Sequence, residues 1–578
     1  MSTETANADL SLLVLPPHRD ATLAPEVPPG WRLVDIGHDF LRRISAPEAI
    51  AQAVEERATS PVTAQTMREL ILLRTAQTLL ERSKADGLAH LTALDAVLKA
   101  LSGPPSGVRL QLDTLELESG TTERSTDVLR VAGRPVPYLE ELALATERIA
   151  QAKRVRLWLV GPSQLPAAVW LARACPPTVA LELAGPYAVA HRKVLGRLSV
   201  FQPATFPEDD APLRWRVVPP GTAPGPESLV WIPAWLGLQV TSPPDERWDG
   251  IDWMQLERPY PRSAPGRPGG HSLGSALAAD IRKFTGGAPW AGHVRFPSLY
   301  EVDALVESGC RLAVVGFCFI RHNGLLDLDG AQWPWNPLRD AMRRLREAGV
   351  RVVAEWWVGA PRIGEAELEA TLRALEAEPL FDWVAGAHAF HAGAGRTHGD
   401  TGGWHLKWGD PPADFDLALS RRFDAPGTVP PTRLPDVLRS LQRRLLRQQP
   451  LSPGRVAGAY LHVPPARAPM PRPPPTEEVQ AEGVLPAPPR PAWVRLDPDS
   501  VLVQLPASLE GAAVATWYVT NLRTGRMLAV DARLAPGLAD LREPTRVEVA
   551  FAGLPAAERD AWLENLVGEY LESDTLPP

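Results

Sequence analysis

The sequence predicts an α/β protein in three parts: an N-terminal parallel-sheet domain of Rossmann-like type, a partial or complete β/α barrel, and a small α+β module at the C-terminal end. Three stretches carry the prediction. Residues 335–375 (WNPLRDAMRRLREAGVRVVAEWWVGAPRIGEAELEATLRAL) read as an amphipathic helix with Leu338, Met342 and Leu345 inward, a glycine stop at Gly349, a buried strand Val350–Val358, a turn and a second helix. Residues 154–183 alternate strand (RVRLWLV), helix (LPAAVWLARAC) and strand (TVALEL), the spacing of a βαβ unit and hence of a parallel sheet. Residues 464–492 (PPARAPMPRPPPTEEVQAEGVLPAPPR) form an extended proline-rich linker ahead of the last module.

Taken in order, SLLVL (11–15) before Pro16-Pro17 is a short buried strand. Residues 46–102 are mostly helical and end at Gly103 before prolines, an insertion within the first domain. That domain spans residues 1–215, and a proline- and tryptophan-rich bridge follows at 216–275. Strand and helix signals resume in a barrel region, 276–463: HVRF (293–296), a helix 298–308, the strand RLAVVGFCFI, the 335–375 unit, the strand FDWVAGAHAF and a helix near 434–447. In the module 493–578, SVLVQLP, TWYVTNLRTGRMLAVD and TRVEVAFAG read as strands, with a hairpin turn at Thr524-Gly525 and a final helix LPAAERDAWLENLVGEYLE.

A chain of 578 residues with 45% hydrophobic and 22% charged content buries ordinary globular cores in each part. A formal charge of −8 argues against a general nucleic-acid-binding surface. No apolar run approaches the roughly 20 residues of a membrane span. MSTETANADL lacks a basic region followed by an apolar one, so the expectation is a cytoplasmic protein with neither nucleic acid nor membrane as partner. The three cysteines, Cys175, Cys310 and Cys318, stand far apart in apolar surroundings, where a free cysteine behaves as a small core residue.

The order of these pieces resembles the cobalamin-binding radical SAM proteins, closest to those acting on ribosomally made peptides. Gly161-Pro162-Ser163-Gln164 leading into LPAAVWLAR is similar to the cobalamin domain's strand-turn-helix, and Leu183-Ala184-Gly185-Pro186-Tyr187 to its next glycine turn. LREAGVRVVAEWWVGAPRIGEAE is similar to a late barrel strand and its turn. The resemblance implies a cobalamin-binding-like first domain with the cofactor held by Ser163, Gln164, Gly185, Pro186 and Tyr187, and a turn at Gly359 and Pro361 near SAM. It also exposes departures. The family holds its four-iron cluster with CxxxCxxC, because each thiolate must reach a different iron from one loop. Here the corresponding stretch, PYPRSAPGRPGGHSLGS (259–275), has no cysteine, and neither Ser263 nor His271 replaces the thiolates. Phe319 stands where the family places a polar or acidic residue toward SAM.

The resulting expectation is a cluster-less homologue, non-catalytic or reassigned, with no iron–sulfur cluster and disfavoured SAM binding. It would bind a precursor peptide or a partner maturation enzyme of ribosomal peptide natural products, with or without cobalamin. The alternative is an active cobalamin- or metal-dependent enzyme, for example a methyl transferase, that needs no cluster. His388, His391, His398 and His405, with Asp400 and Asp410, are spaced too irregularly to specify a metal site and are expected to be solvated or hydrogen-bonded. Glu355, inside a buried strand, is expected either to face a barrel lumen or to pair with a base such as Arg295. Trp333, Trp335, Trp356, Trp357, Trp404 and Trp408 would serve as core, or would line a peptide cavity. The C-terminal module resembles small domains that take up a leader peptide as an added strand.

Overall fold

Apolar runs that alternate with helices are expected to pair in parallel with both faces covered, and four of them do so in the first sheet of the computed structural model. β1 (Leu10–Val14), β2 (Arg32–Asp35), β3 (Arg154–Trp158) and β4 (Ala180–Ala184) are all parallel, in the order β2-β1-β3-β4. Leu12, Leu13, Val14 and Leu157 are fully buried, as strands covered on both faces require. α1 (Leu165–Ala174) connects β3 to β4, with Pro166 in its first turn where no amide donor is needed. The short α2 (Pro186–Ala190) follows β4. The description covers residues 9–16, 23–26, 29–207, 215–218, 228–232, 281–390, 407–409, 414–445 and 490–574, apart from short gaps inside these ranges.

The second sheet is nine-stranded and mixed. At its centre β5 (Val230–Ile232), β6 (Trp290–His293), β7 (Cys310–Arg321), β8 (Arg351–Val358) and β9 (Trp383–Ala389) lie side by side in chain order, all parallel. Parallel strands in chain order are compatible with part of a β/α barrel wall and equally with an open doubly wound sheet. Antiparallel strands, Trp215–Val217 and then Leu23–Pro25, continue beyond β5, and among the described residues no strand closes β9 onto the opposite edge. Among the described residues the strands are not closed into a barrel.

Between β7 and β9 run α3 (Trp335–Glu347) and α4 (Glu365–Ala377). α3 stops as its sequence dictates. Gly349 takes φ +77°, donates to Arg346 O at 3.0 Å, and the next amide, Val350, donates to Leu345 O at 2.9 Å, a Schellman cap. Leu338, Met342 and Leu345 of α3 and Leu368 and Leu372 of α4 join Phe317 and Trp356 in one buried cluster. The predicted strand HVRF is displaced: the strand is Trp290–His293, and a helical turn, Phe296–Leu299, begins where the strand was expected to end.

By contact density the chain divides into two units, Met1–Ile44 with Leu101–His462, and Ser45–Ala100 with Val463–Pro578. In the second unit, helix Ala64–Arg82 packs on strand Ser500–Leu505, which continues antiparallel through Thr516–Asn521 to Arg526–Val530. A second antiparallel sheet joins Thr545–Arg546, Trp493–Leu496 and Leu571–Ser573. TRVEVAFAG forms only two strand residues before the helical turn Val547–Ala550, because Val547, Ala550 and Phe551 also bury together at helical spacing. The final helix ends at Leu566 rather than running on to Glu572, and a last strand, Leu571–Ser573, follows Gly568 at φ +83°. No described helix is long and apolar enough to cross a membrane.

Candidate functional site

In a parallel sheet ordered β2-β1-β3-β4, the chain reverses its winding between β1 and β3, and a ligand crevice is expected outside the carboxyl ends of those two strands. Gln164 occupies that position. It is 2% exposed; its Oε1 accepts the Val160 amide at 2.6 Å and its Nε2 donates to Leu15 O at 2.9 Å. Its side chain thus ties the end of β3 to the end of β1, a pairing that sequence alone cannot reveal because it depends on strand order. Ser163, on the same turn, is half-buried.

Gly185 ends β4 with φ +91°, and a Cβ there would stand 2.4 Å from Leu159 O. The close approach that glycine permits is made by the protein's own backbone. Pro186 opens α2, and Tyr187 is fully buried, with its hydroxyl donating to Leu417 O at 3.3 Å and its ring stacked on His191 at 4.2 Å. Burial pushes the Tyr187 hydroxyl well above its ordinary pKa and lowers His191 to about 4, the latter against the carbonyls of Ala418 and Tyr187.

The five residues meet at one end of the sheet, but Gln164, Gly185 and Tyr187 are engaged with the chain itself. Cobalamin would need backbone and small side chains turned outward, whereas these three residues, among those described, are turned toward the chain itself. Hydroxocobalamin mixed with the purified chain and passed through gel filtration is expected to separate from it completely. One cobalamin retained per chain would contradict this assignment.

At the barrel-like turn, Gly359 has φ +93° and is buried; a Cβ there would lie 3.2 Å from Leu434 Cδ1. Pro361 is buried, and the Arg362 amide donates to Thr428 Oγ1 at 3.2 Å. The turn is packed against Gly427, Thr428 and Leu434. Phe319 is 7% exposed, with the Arg321 guanidinium 5.4 Å from its ring centre.

A different cluster lies on the second sheet. Side chains alternate along a strand, so the burial of Trp356 beside Phe317 turns Glu355 and Trp357 to the other face. Glu355 lies beside Gly316 of β7 and Gly386 of β9, and Trp357 beside His388. His293, at the end of β6, reaches across to Glu355 with Nε2 to Oε2 at 3.5 Å; the two side chains are 10% and 12% exposed. Trp231 of β5 meets the His293 ring edge-on at 5.6 Å, and Trp357 lies 5.6 Å from His388. Among the described residues the glutamate meets a histidine, and Arg295 lies outside them. A carboxylate beside an imidazole can hold or pass a proton, or share a bound cation.

His388 stands on β9, whereas His391, His398, Asp400, His405 and Asp410 lie outside the described residues. Among the described residues no group of three His, Cys, Asp or Glu side chains could hold a metal ion.

No family model matches the chain, and no curated protein matches it. Two solved structures of the radical S-adenosylmethionine methyltransferase TsrM from Kitasatospora setae are similar to it, one with tryptophan substrate and a SAM analog (aza-SAM) bound, the other with cobalamin and a 4Fe-4S cluster bound. Each is 13% identical, covering 56% of this chain and 85% of the neighbour, with TM-scores of 0.27 and 0.28. The likeness is distant, and scores of this size establish neither a shared fold nor a shared site.

Proposed function

We propose that this chain is a cluster-less relative of the cobalamin-binding radical SAM proteins, and that it works by binding a precursor peptide or a partner maturation enzyme rather than by radical chemistry. The observation that carries this reading is the placement of its three cysteines. Cys310 and Cys318 sit eight positions apart on the single strand β7, roughly 26 Å at the rise of an extended chain. Both are fully buried, and burial pushes the Cys310 thiol up, away from the thiolate that binds iron. Cys175 follows the end of α1, where burial again raises the thiol. Three such sulfurs do not meet around one cluster.

The second unit supports the binding half of the reading. Among the described residues Arg526–Val530 pairs along one side only, leaving a strand edge of the kind that accepts a peptide as an added strand. Iron and acid-labile sulfide per chain after anaerobic reconstitution test the proposal. Values far below those of a four-iron cluster are expected, and a stoichiometric cluster would overturn it.

A further inference from the structure

We propose that the carboxyl end of the first sheet is a binding site for an acidic peptide segment, and that the chain's own residues Asp414–Ala418 occupy it as an internal ligand. The proposal rests on reading the chain as a binding protein and gives that reading a place and a ligand class. Strands Lys407–Gly409 and Arg422–Asp424 pair antiparallel in a hairpin separate from both large sheets, and Asp414–Ala418 belong to the loop between them. Leu417 and Ala418 are nevertheless buried, because the loop packs on residues of the first domain as far as 291 positions earlier in the chain. Two of those residues, Tyr187 and His191, follow β4, and the carboxyl ends of parallel strands are where such sheets take ligands.

The segment is held as a peptide is held, by its backbone and by its side chains. The Leu417 amide donates to Glu123 O at 2.9 Å, and Leu417 O accepts the Tyr187 hydroxyl at 3.3 Å. His191 Nε2 lies 3.1 Å from Ala418 O. Main-chain bonds of this kind supply affinity, and the side chains supply choice. Asp416 accepts the Ser125 amide at 2.8 Å and the Ser125 hydroxyl at 2.6 Å, two bonds to a charged acceptor. Arg124 pairs with Asp414 at 2.9 Å, and its guanidinium stands 4.4 Å from the Phe415 ring centre. The Leu417 side chain is fully enclosed. Glu123, Arg124, Ser125, Tyr187 and His191 together select the pattern Asp-aromatic-Asp-Leu-Ala. A tethered segment competes at high effective concentration, so an external peptide enters readily only when the loop's hold is weakened.

The test uses the full chain and a fluorescent peptide of residues 413–420, ADFDLALS, in anisotropy titrations, with hydrogen exchange at the Leu417 amide reporting on the loop. Asp416→Ala removes both bonds to Ser125 and leaves every residue of the receiving site in place. In that variant the Leu417 amide is expected to exchange about tenfold faster or more, with the Leu159 amide of the sheet unchanged. The peptide is expected to bind it about tenfold or more tightly than it binds the unaltered chain. A peptide with asparagine in place of its second aspartate should bind the variant about tenfold more weakly, and adding Ser125→Ala should erase that difference. The proposal is overturned if Asp416→Ala leaves Leu417 exchange unchanged, if the variant binds the peptide no better than the unaltered chain does, or if the asparagine peptide binds as well. Asp416→Asn, which keeps the shape and loses the charge, gives the same readings should the alanine variant fail to fold. Failure here leaves the cluster-less reading to its own iron and sulfide measurement.

Discussion

Trp356→Ala is expected to cost about 3–5 kcal/mol of stability, the range for truncating a buried tryptophan. Trp356 is fully buried, lies parallel to Phe317 at 6.0 Å between ring centres, and sits within the cluster that fixes α3 and α4 to the sheet. Phe317 in turn stacks on Phe381 at 5.5 Å, so the loss spreads through three rings. The indole also donates to Cys318 O at 3.0 Å. Trp356→Phe keeps most of the packing and loses that bond, leaving a buried carbonyl without this donor at a cost of about 1–3 kcal/mol. Denaturant unfolding followed by circular dichroism measures both. A loss below about 1 kcal/mol for the alanine variant would mean that Trp356 lines an open cavity, the other role its sequence position allowed.

The same residue explains what could be read in advance. The 335–375 unit was legible because its signals are local: an apolar stripe on a helix, a glycine able to adopt positive φ at Gly349, and a mostly apolar run too short for a second helix. Glu355 stood out as an acid inside that run. Its partner did not, because His293 is more than sixty positions earlier and is brought near only by the order β6-β7-β8. Gln164 shows the same limit. A polar residue after a strand looked available to a cofactor, whereas its amide is needed by two backbone groups whose proximity arises from sheet pairing. TRVEVAFAG was ambiguous for a different reason, since its apolar positions satisfy period two and helical spacing at once.

Gly185→Ala is the second large effect expected. Its backbone (φ 91°, ψ 166°) lies in a region open essentially to glycine alone, and forcing another residue there costs about 1–3 kcal/mol. The added methyl would also meet Leu159 O at 2.4 Å and Leu159 N at 3.0 Å. That backbone cannot yield easily: Leu159 N–H donates to Ala184 O at 2.9 Å, and Leu159 O accepts the Tyr187 amide at 3.2 Å. Crowding of this kind adds about 1–3 kcal/mol more. The loss should be present in full in protein that has never met cobalamin. If the glycine existed for a macrocycle, the cofactor-free variant would unfold like the unaltered chain, and cobalamin binding alone would change.

The central question is whether this scaffold carries a cluster. Its most direct test is iron and sulfide per chain after anaerobic reconstitution, measured on the unaltered protein and on Cys310→Ser and Cys318→Ser. The prediction is iron and sulfide far below cluster stoichiometry, unchanged by either substitution. Four irons and four sulfides per chain, lost when either cysteine is replaced, would contradict it.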